Sequence, residues 1–248
     1  MFFRLVGCSV LCVWLTSASG QLVNPAPGNP TQTNSPGYAL NRFDNAIRTF
    51  EKQDSVTGIP GNRIVFIGSS SFAFWQSMSV DLAPLPVLNR GFGGSTLPEV
   101  SHYADRILFP YQPRIIVVYA GENDLNVGPH PQTPEQVAAS FRTFVRGVQR
   151  RLPKTIIYFV SMKPSPARWA NWPVTQRGNQ LIEAYVKTDK RLRFIDVRPA
   201  MLGPDGRPRP EIFKADSLHM NAAGYAVWAG LIKPILLSET RNKVIRQV

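Results

Sequence analysis

Short runs in which nearly every residue is apolar recur along the chain, at 63–67, 87–89, 115–119, 155–160 and 193–197. Between them, apolar residues return at helical spacing near 72–76, 97–108, 134–152 and 175–188, with a final such stretch over 222–237. Ahead of the first run, Leu40, Phe43, Ile47 and Phe50 follow the same helical period and predict an opening amphipathic helix. Runs without polar alternation, separated by helices, belong to strands covered on both faces. The pattern therefore predicts an α/β chain, a three-layer α/β/α sandwich around a parallel sheet of about five strands. No internal repeat interrupts it. Two stretches read as long and irregular: 163–173, and 198–214 with its Gly203-Pro204-Asp205-Gly206 turn. Loops of that length at a sheet edge are frequent substrate walls.

The N-terminus has a different character. Arg4 is followed by an apolar run from Leu5 to Leu15 and by small residues up to Gly20, the layout of a secretory signal peptide over residues 1–20. The run is too short to span a bilayer. Too little apolar sequence precedes Leu5-Val6-Gly7-Cys8 for a lipoprotein signal. Residues 21–37, rich in Pro, Asn, Thr and Gly, read as a disordered leader, which leaves 38–248 as one domain. Both cysteines, Cys8 and Cys12, fall in the signal segment. An exported chain would thus carry neither thiol nor disulfide, and its core alone would hold it.

The formal charge is +12, and loss of the signal with its single Arg4 takes it to +11. Such a surplus favours weak association with anionic surfaces. The basic residues are scattered, without interleaved aromatics, so nucleic acid is not an expected partner. The sequence does not specify an oligomeric state.

Candidate chemistry collects just after the predicted strands, where ligands bind in parallel sheets. Gly68-Ser69-Ser70-Ser71 follows the first strand and precedes a short helix. A serine there either caps the helix or stands as a nucleophile beside free backbone N–H groups. Asn89-Arg90-Gly91-Phe92-Gly93-Gly94-Ser95 follows the second strand, with glycines that form a plain turn or bring N–H groups close to a ligand. Ala120-Gly121-Glu122-Asn123-Asp124 follows the third, and an asparagine amide can donate to an oxyanion without bearing charge. Asp216-Ser217-Leu218-His219 precedes the last helix: a carboxylate three residues before an imidazole can bond Nδ1–H and leave Nε2 as a base. The other histidines lack clustered carboxylate or cysteine partners, so neither a metal nor a cofactor is expected.

These four blocks, in this order and spanning about 63–231, resemble the GDSL-type, or SGNH, hydrolases, and more closely a bacterial subgroup akin to platelet-activating-factor acetylhydrolases. Ser69 stands where that family's Gly-Asp-Ser motif has aspartate. The resemblance implies the flavodoxin-like SGNH hydrolase fold and an esterase with Ser70, Asp216 and His219 as catalytic triad. It also implies an oxyanion hole made by Ser70, Gly94 and Asn123. Arg90, Trp169 and Trp172 are candidate substrate-binding residues. Arg90 could equally pair with Glu122 or Asp124 as a clamp, and the tryptophans could simply pack their loop.

The expected activity is hydrolysis of small acyl esters, acetyl above all, on a small molecule or glycan. Lysophospholipid or other lipid esters, and acyl transfer to an alcohol, use the same triad. A non-catalytic binder of anionic cell-surface polymer is the reading from another class, and the intact triad argues against it.

Overall fold

Five parallel strands form the sheet: β1 (Ile64–Gly68), β2 (Val87–Gly91), β3 (Ile115–Tyr119), β4 (Ile156–Val160) and β5 (Leu192–Ile195), in the order β2-β1-β3-β4-β5. The computed structural model describes residues 41–59, 61, 63–126 and 131–245. All of these belong to one compact unit. The expected signal peptide and leader lie outside the described residues.

The uninterrupted apolar runs make sense in this sheet. β1, β3 and β4 are interior strands and are buried at every residue. Alternate side chains serve opposite faces, as the two-residue period of a strand requires. Val65, Ile67, Ile116, Val118, Ile157 and Phe159 join a core built with α1 (Asp44–Thr57), α4 (Leu97–Ile107), α5 (Pro134–Arg151) and α6 (Trp172–Val186). Phe66, Val117, Tyr119 and Val160 point the other way. They meet α2 (Ser70–Ala73), α3 (Met78–Asp81), α7 (Arg198–Met201) and α8 (Ala222–Ile245). Each fully buried side chain of this kind contributes about 1.5–3 kcal/mol. The edge strands β2 and β5 are only partly buried, which is where Asn89 and Arg193 can reach polar surroundings.

Several boundaries differ from the sequence expectation. The opening helix runs from Asp44 to Thr57, and α8 continues to Ile245 instead of stopping near Leu237. The stretch 163–173 is not wholly irregular: a 3-10 helix occupies Pro166–Asn171 and α6 begins at Trp172. Its prolines look like breakers, yet proline is well tolerated in a helix's first turn, where its missing N–H has no partner to lose. Residues 198–201 likewise form α7 within the second stretch.

The strand order places the site. β1 has β2 on one side and β3 on the other. The connections leaving its end therefore diverge and open a crevice at the carboxyl edge. Register brings Gly68 level with Gly91 and Tyr119. Gly68 has φ +143°, and a Cβ there would lie 1.9 Å from the Tyr119 carbonyl oxygen. Only glycine lets β1 turn into α2 this close to β3. Ser69 N–H then bonds Tyr119 O at 2.9 Å, and Phe92 N–H bonds Gly68 O at 2.8 Å.

Candidate active site

Ser70 is the first residue of α2, with Ser69 in extended conformation before it. At that position a backbone N–H has no intrahelical acceptor and points out of the helix end. The Ser70 hydroxyl lies 3.0 Å from His219 Nε2. His219 Nδ1 lies 2.6 Å from Asp216 Oδ2. The other carboxylate oxygen, Asp216 Oδ1, accepts the backbone N–H groups of Leu218 and His219, both at 2.9 Å.

The loop is shaped to make this arrangement. Ser217 adopts φ +55°, and its N–H bonds Lys214 O at 2.9 Å. Lys214 N–H in turn bonds His219 O at 2.8 Å. Asn221 ends the loop by accepting Gly224 N–H at 3.1 Å and donating to the carbonyls of Glu211 and Phe213. The hydrogen bond to His219, followed by those from the His219 and Leu218 N–H groups, holds the Asp216 carboxyl well below the usual carboxylate range. An ionised carboxylate at Nδ1 keeps the ring hydrogen there and leaves Nε2 to accept the Ser70 proton.

The glycine turn after β2 faces Ser70. Gly94 has φ +82°, a conformation that glycine adopts without strain. Arg42 steadies this turn by donating to Gly94 O at 3.0 Å while also binding Glu99. Across the crevice, Asn123 Nδ2 donates to Ser95 O at 3.0 Å, and Asn123 Oδ1 accepts from Arg168 Nη2 at 3.0 Å. Ser70, Gly94, Asn123 and His219 all line one cavity of about 370 Å³, with Ser69, Phe74, Gly93, Glu122, Lys163, Arg168 and Leu218. Phe74 is 43% exposed and meets the His219 ring edge-on at 4.9 Å.

Three sequence candidates for substrate contact lie elsewhere. Arg90 does not line the cavity: it is buried, paired with Asp54 of α1 at 2.5 Å and with the Tyr111 hydroxyl at 2.7 Å. It is thus a clamp, although its partner is neither Glu122 nor Asp124. Trp169 and Trp172 are absent from the lining as well and stack on one another, with ring centroids 5.8 Å apart and planes at 17°. The stack uses one face of each ring to join the 3-10 segment to α6, with Trp172 buried and Trp169 partly exposed.

Conversely, a charged cluster in the cavity wall was not evident from the sequence. Lys163 Nζ bonds Glu122 Oε2 at 2.9 Å, Arg168 Nη1 approaches Glu122 Oε1 at 3.0 Å, and the Tyr119 hydroxyl donates to the same carboxylate. Burial would raise the Glu122 carboxyl, but Lys163 and Arg168 outweigh it and the net direction is downward. Burial pulls the Lys163 ammonium down against the attraction of Glu122. One signal was available: Lys163 lies just past β4, on the edge of the sheet that carries the other blocks.

Asp124, next to Asn123, has a separate task. Its carboxylate accepts Leu97 N–H at the start of α4, at 3.0 and 3.2 Å. Burial pushes its pKa from 3.8 up to about 7, with the Leu97 N–H opposing. A raised carboxyl pKa means that the folded state holds a proton the unfolded state has released. This group therefore lowers stability as pH rises from about 4 to about 7. Urea unfolding at pH 5 and pH 8 checks the sign. Asp124→Asn should compare more favourably with wild type at pH 8, and an equal difference at both would show no such linkage.

Taken together, the cavity offers a hydroxyl, a base with its Nε2 at hydrogen-bond distance from it, and the Gly94 turn and Asn123 amide among its lining groups. Such a set can open an acyl carbon to attack and hold the resulting oxyanion. The family model for GDSL-like Lipase/Acylhydrolase proteins matches residues 54–227. Platelet-activating factor acetylhydrolase IB subunit alpha1 from Pongo abelii is 28% identical over 187 residues, covering 70% of this chain and 75% of its own. A GDSL-like lipase from Bacteroides thetaiotaomicron has the same fold, with a TM-score of 0.66 at 19% identity over 78% of this chain and 98% of that one. So does the family 3 carbohydrate esterase of Clostridium thermocellum, with a TM-score of 0.59 at 14% identity over 74% and 98%. The chain belongs to the GDSL-like lipase/acylhydrolase family and is a carboxylic ester hydrolase.

Proposed function

We propose that this enzyme is an exported esterase that removes small acyl groups, acetyl above all, from a carbohydrate or small-molecule alcohol. The carrying observation is the hydrogen-bonded series Ser70, His219, Asp216, at 3.0 and 2.6 Å, opening into a cavity of only about 370 Å³. That volume lies near the low end of the range for small-molecule sites, which favours a short acyl chain. The acetylhydrolase name of the 28% identical relative and the carbohydrate esterase among proteins of like fold support the same choice.

In this reading Ser70 Oγ attacks the ester carbonyl as His219 Nε2 takes its proton. The carbonyl oxygen becomes an oxyanion, held by the N–H groups of Ser70 and Gly94 and by the Asn123 amide. Collapse breaks the bond to the alcohol oxygen, which leaves with the proton from His219. The acyl group remains on Ser70. Water, deprotonated by His219, repeats the sequence and releases the acid. Phe74 stands beside the imidazole that protonates the leaving alcohol, so the alcohol portion of the substrate meets this exposed ring. Export rests on the apolar run and small residues of the first 20 positions.

A panel of p-nitrophenyl esters and acetylated oligosaccharides tests the reading. kcat/KM should be highest for acetate and decline with acyl length, and acetylated sugars should release acetate. A rise toward long chains would reject the acyl preference. Secreted protein should begin at Ser19 or Gln21, whereas an intact Met1 would reject cleavage.

A further inference from the structure

Asn123 can serve an oxyanion only if its amide faces the right way, and an amide is nearly symmetric in shape. Its orientation here is decided by what surrounds it. Ser95 supplies a carbonyl, which accepts from Nδ2 at 3.0 Å. Arg168 supplies a guanidinium, which donates to Oδ1 at 3.0 Å. Flipping the amide would set N–H against guanidinium and carbonyl against carbonyl. Of the two Nδ2 hydrogens, one is committed to Ser95, and the second is available to the cavity that Asn123 lines.

Arg168 is itself held in place. Its Nη1 approaches Glu122 Oε1 at 3.0 Å, and Glu122 is fixed by Lys163 Nζ at 2.9 Å and by the Tyr119 hydroxyl. The 3-10 helix carrying Arg168 is tied on both sides. Ala167 N–H bonds Ser217 O at 3.0 Å, within the Asp216–His219 loop. Asn171 Nδ2 bonds Leu125 O at 3.2 Å and Asn126 Oδ1 at 2.9 Å, within the turn that bears Asn123. Thus one short segment fixes the oxyanion donor relative to the base. The buried Lys163 and the partly buried Arg168 stand against one carboxylate in this cluster, so the local charge also favours a negative oxygen nearby.

We propose that Arg168 is a positioning residue for the reaction: it orients and polarises the Asn123 amide, anchored by the Glu122–Lys163 pair. The proposal rests on Asn123 acting as an oxyanion donor in the function described above. A direct role in gripping an acidic substituent of the substrate is less well served. The Arg168 side chain is only 17% exposed, and both of its terminal nitrogens are engaged with Asn123 and Glu122.

A double-mutant cycle with p-nitrophenyl acetate tests this. Arg168→Met in the wild-type background should lower kcat by about 10- to 100-fold with KM nearly unchanged, as for a misplaced catalytic group. Asn123→Ala should cost about 10²–10³ in kcat. In the Asn123→Ala background, Arg168→Met should then cost less than about threefold, because the group it positions is gone. Equal factors in both backgrounds, or an effect confined to KM, would overturn the proposal.

Arg168→Lys, which keeps the charge and loses the planar fork, covers the case in which the methionine variant does not fold. It should show the same dependence on Asn123 with a smaller loss, and additivity there too would count against the idea. Ser70→Ala, assayed alongside, separates the two levels. If it retains turnover, the parent reading falls and this one with it. If it is inactive while the cycle is additive, only the positioning role falls.

Discussion

Ser70→Ala is expected to remove nearly all ester turnover, by about 10⁶ in kcat, as loss of the nucleophile does in other serine triads. The geometry singles out this serine from its two neighbours. Ser70 Oγ is the hydroxyl 3.0 Å from His219 Nε2. Ser69 and Ser71 are buried on either side, and Ser69 is tied through its N–H to Tyr119. Alanine at position 70 retains the backbone N–H at the start of α2 and leaves Gly94 and Asn123 untouched, so the fold and the oxyanion donors persist while the attacking atom is gone. Kinetics with p-nitrophenyl acetate and labelling by a fluorophosphonate probe read the result. Turnover within tenfold of wild type, or continued labelling, would show that another residue is the nucleophile.

Asp216→Asn should carry the next largest effect, about 10⁴ in kcat, by analogy with the same exchange in another serine triad. The argument is about a tautomer. Asp216 Oδ1 receives the N–H groups of Leu218 and His219, a task the asparagine oxygen can take over, so the loop keeps its shape. The atom facing His219 Nδ1 at 2.6 Å then becomes an NH₂ that donates. Imidazole must answer by placing its hydrogen on Nε2, where it can no longer accept the Ser70 proton. Melting temperature should therefore change little while kcat collapses. A loss of less than tenfold would mean that the imidazole does not depend on Asp216 for its orientation.

How much of this was legible beforehand follows from what each kind of signal encodes. Continuous apolar runs marked the strands because interior strands are wetted on neither face. Their ends marked the chemistry, since short connections after parallel strands converge on one edge. Boundaries were less visible: the stretch 163–173 read as irregular, whereas a short 3-10 helix and the first turn of α6 accommodate Pro166 and Pro173. Arg90 followed the second strand and so looked like a ligand contact, but its side chain points to Asp54, 36 residues earlier in the chain. Trp169 and Trp172 sit in the right loop, but they stack on each other and neither lines the cavity.

By itself the sequence determined the layered α/β architecture and the order of the four blocks that bear Ser70, Gly94, Asn123 and the Asp216–His219 pair. Those are local properties, because periodicity, turn-forming glycines and a three-residue spacing are written into neighbouring residues. Only the tertiary structure decided which charges are buried together. Lys163 meets Glu122 across a separation of 41 residues, and Arg168 reaches the same carboxylate at 3.0 Å. The physical reason is that a charge tolerates burial only when partners from distant segments compensate it, and such pairing leaves no periodic trace along the chain.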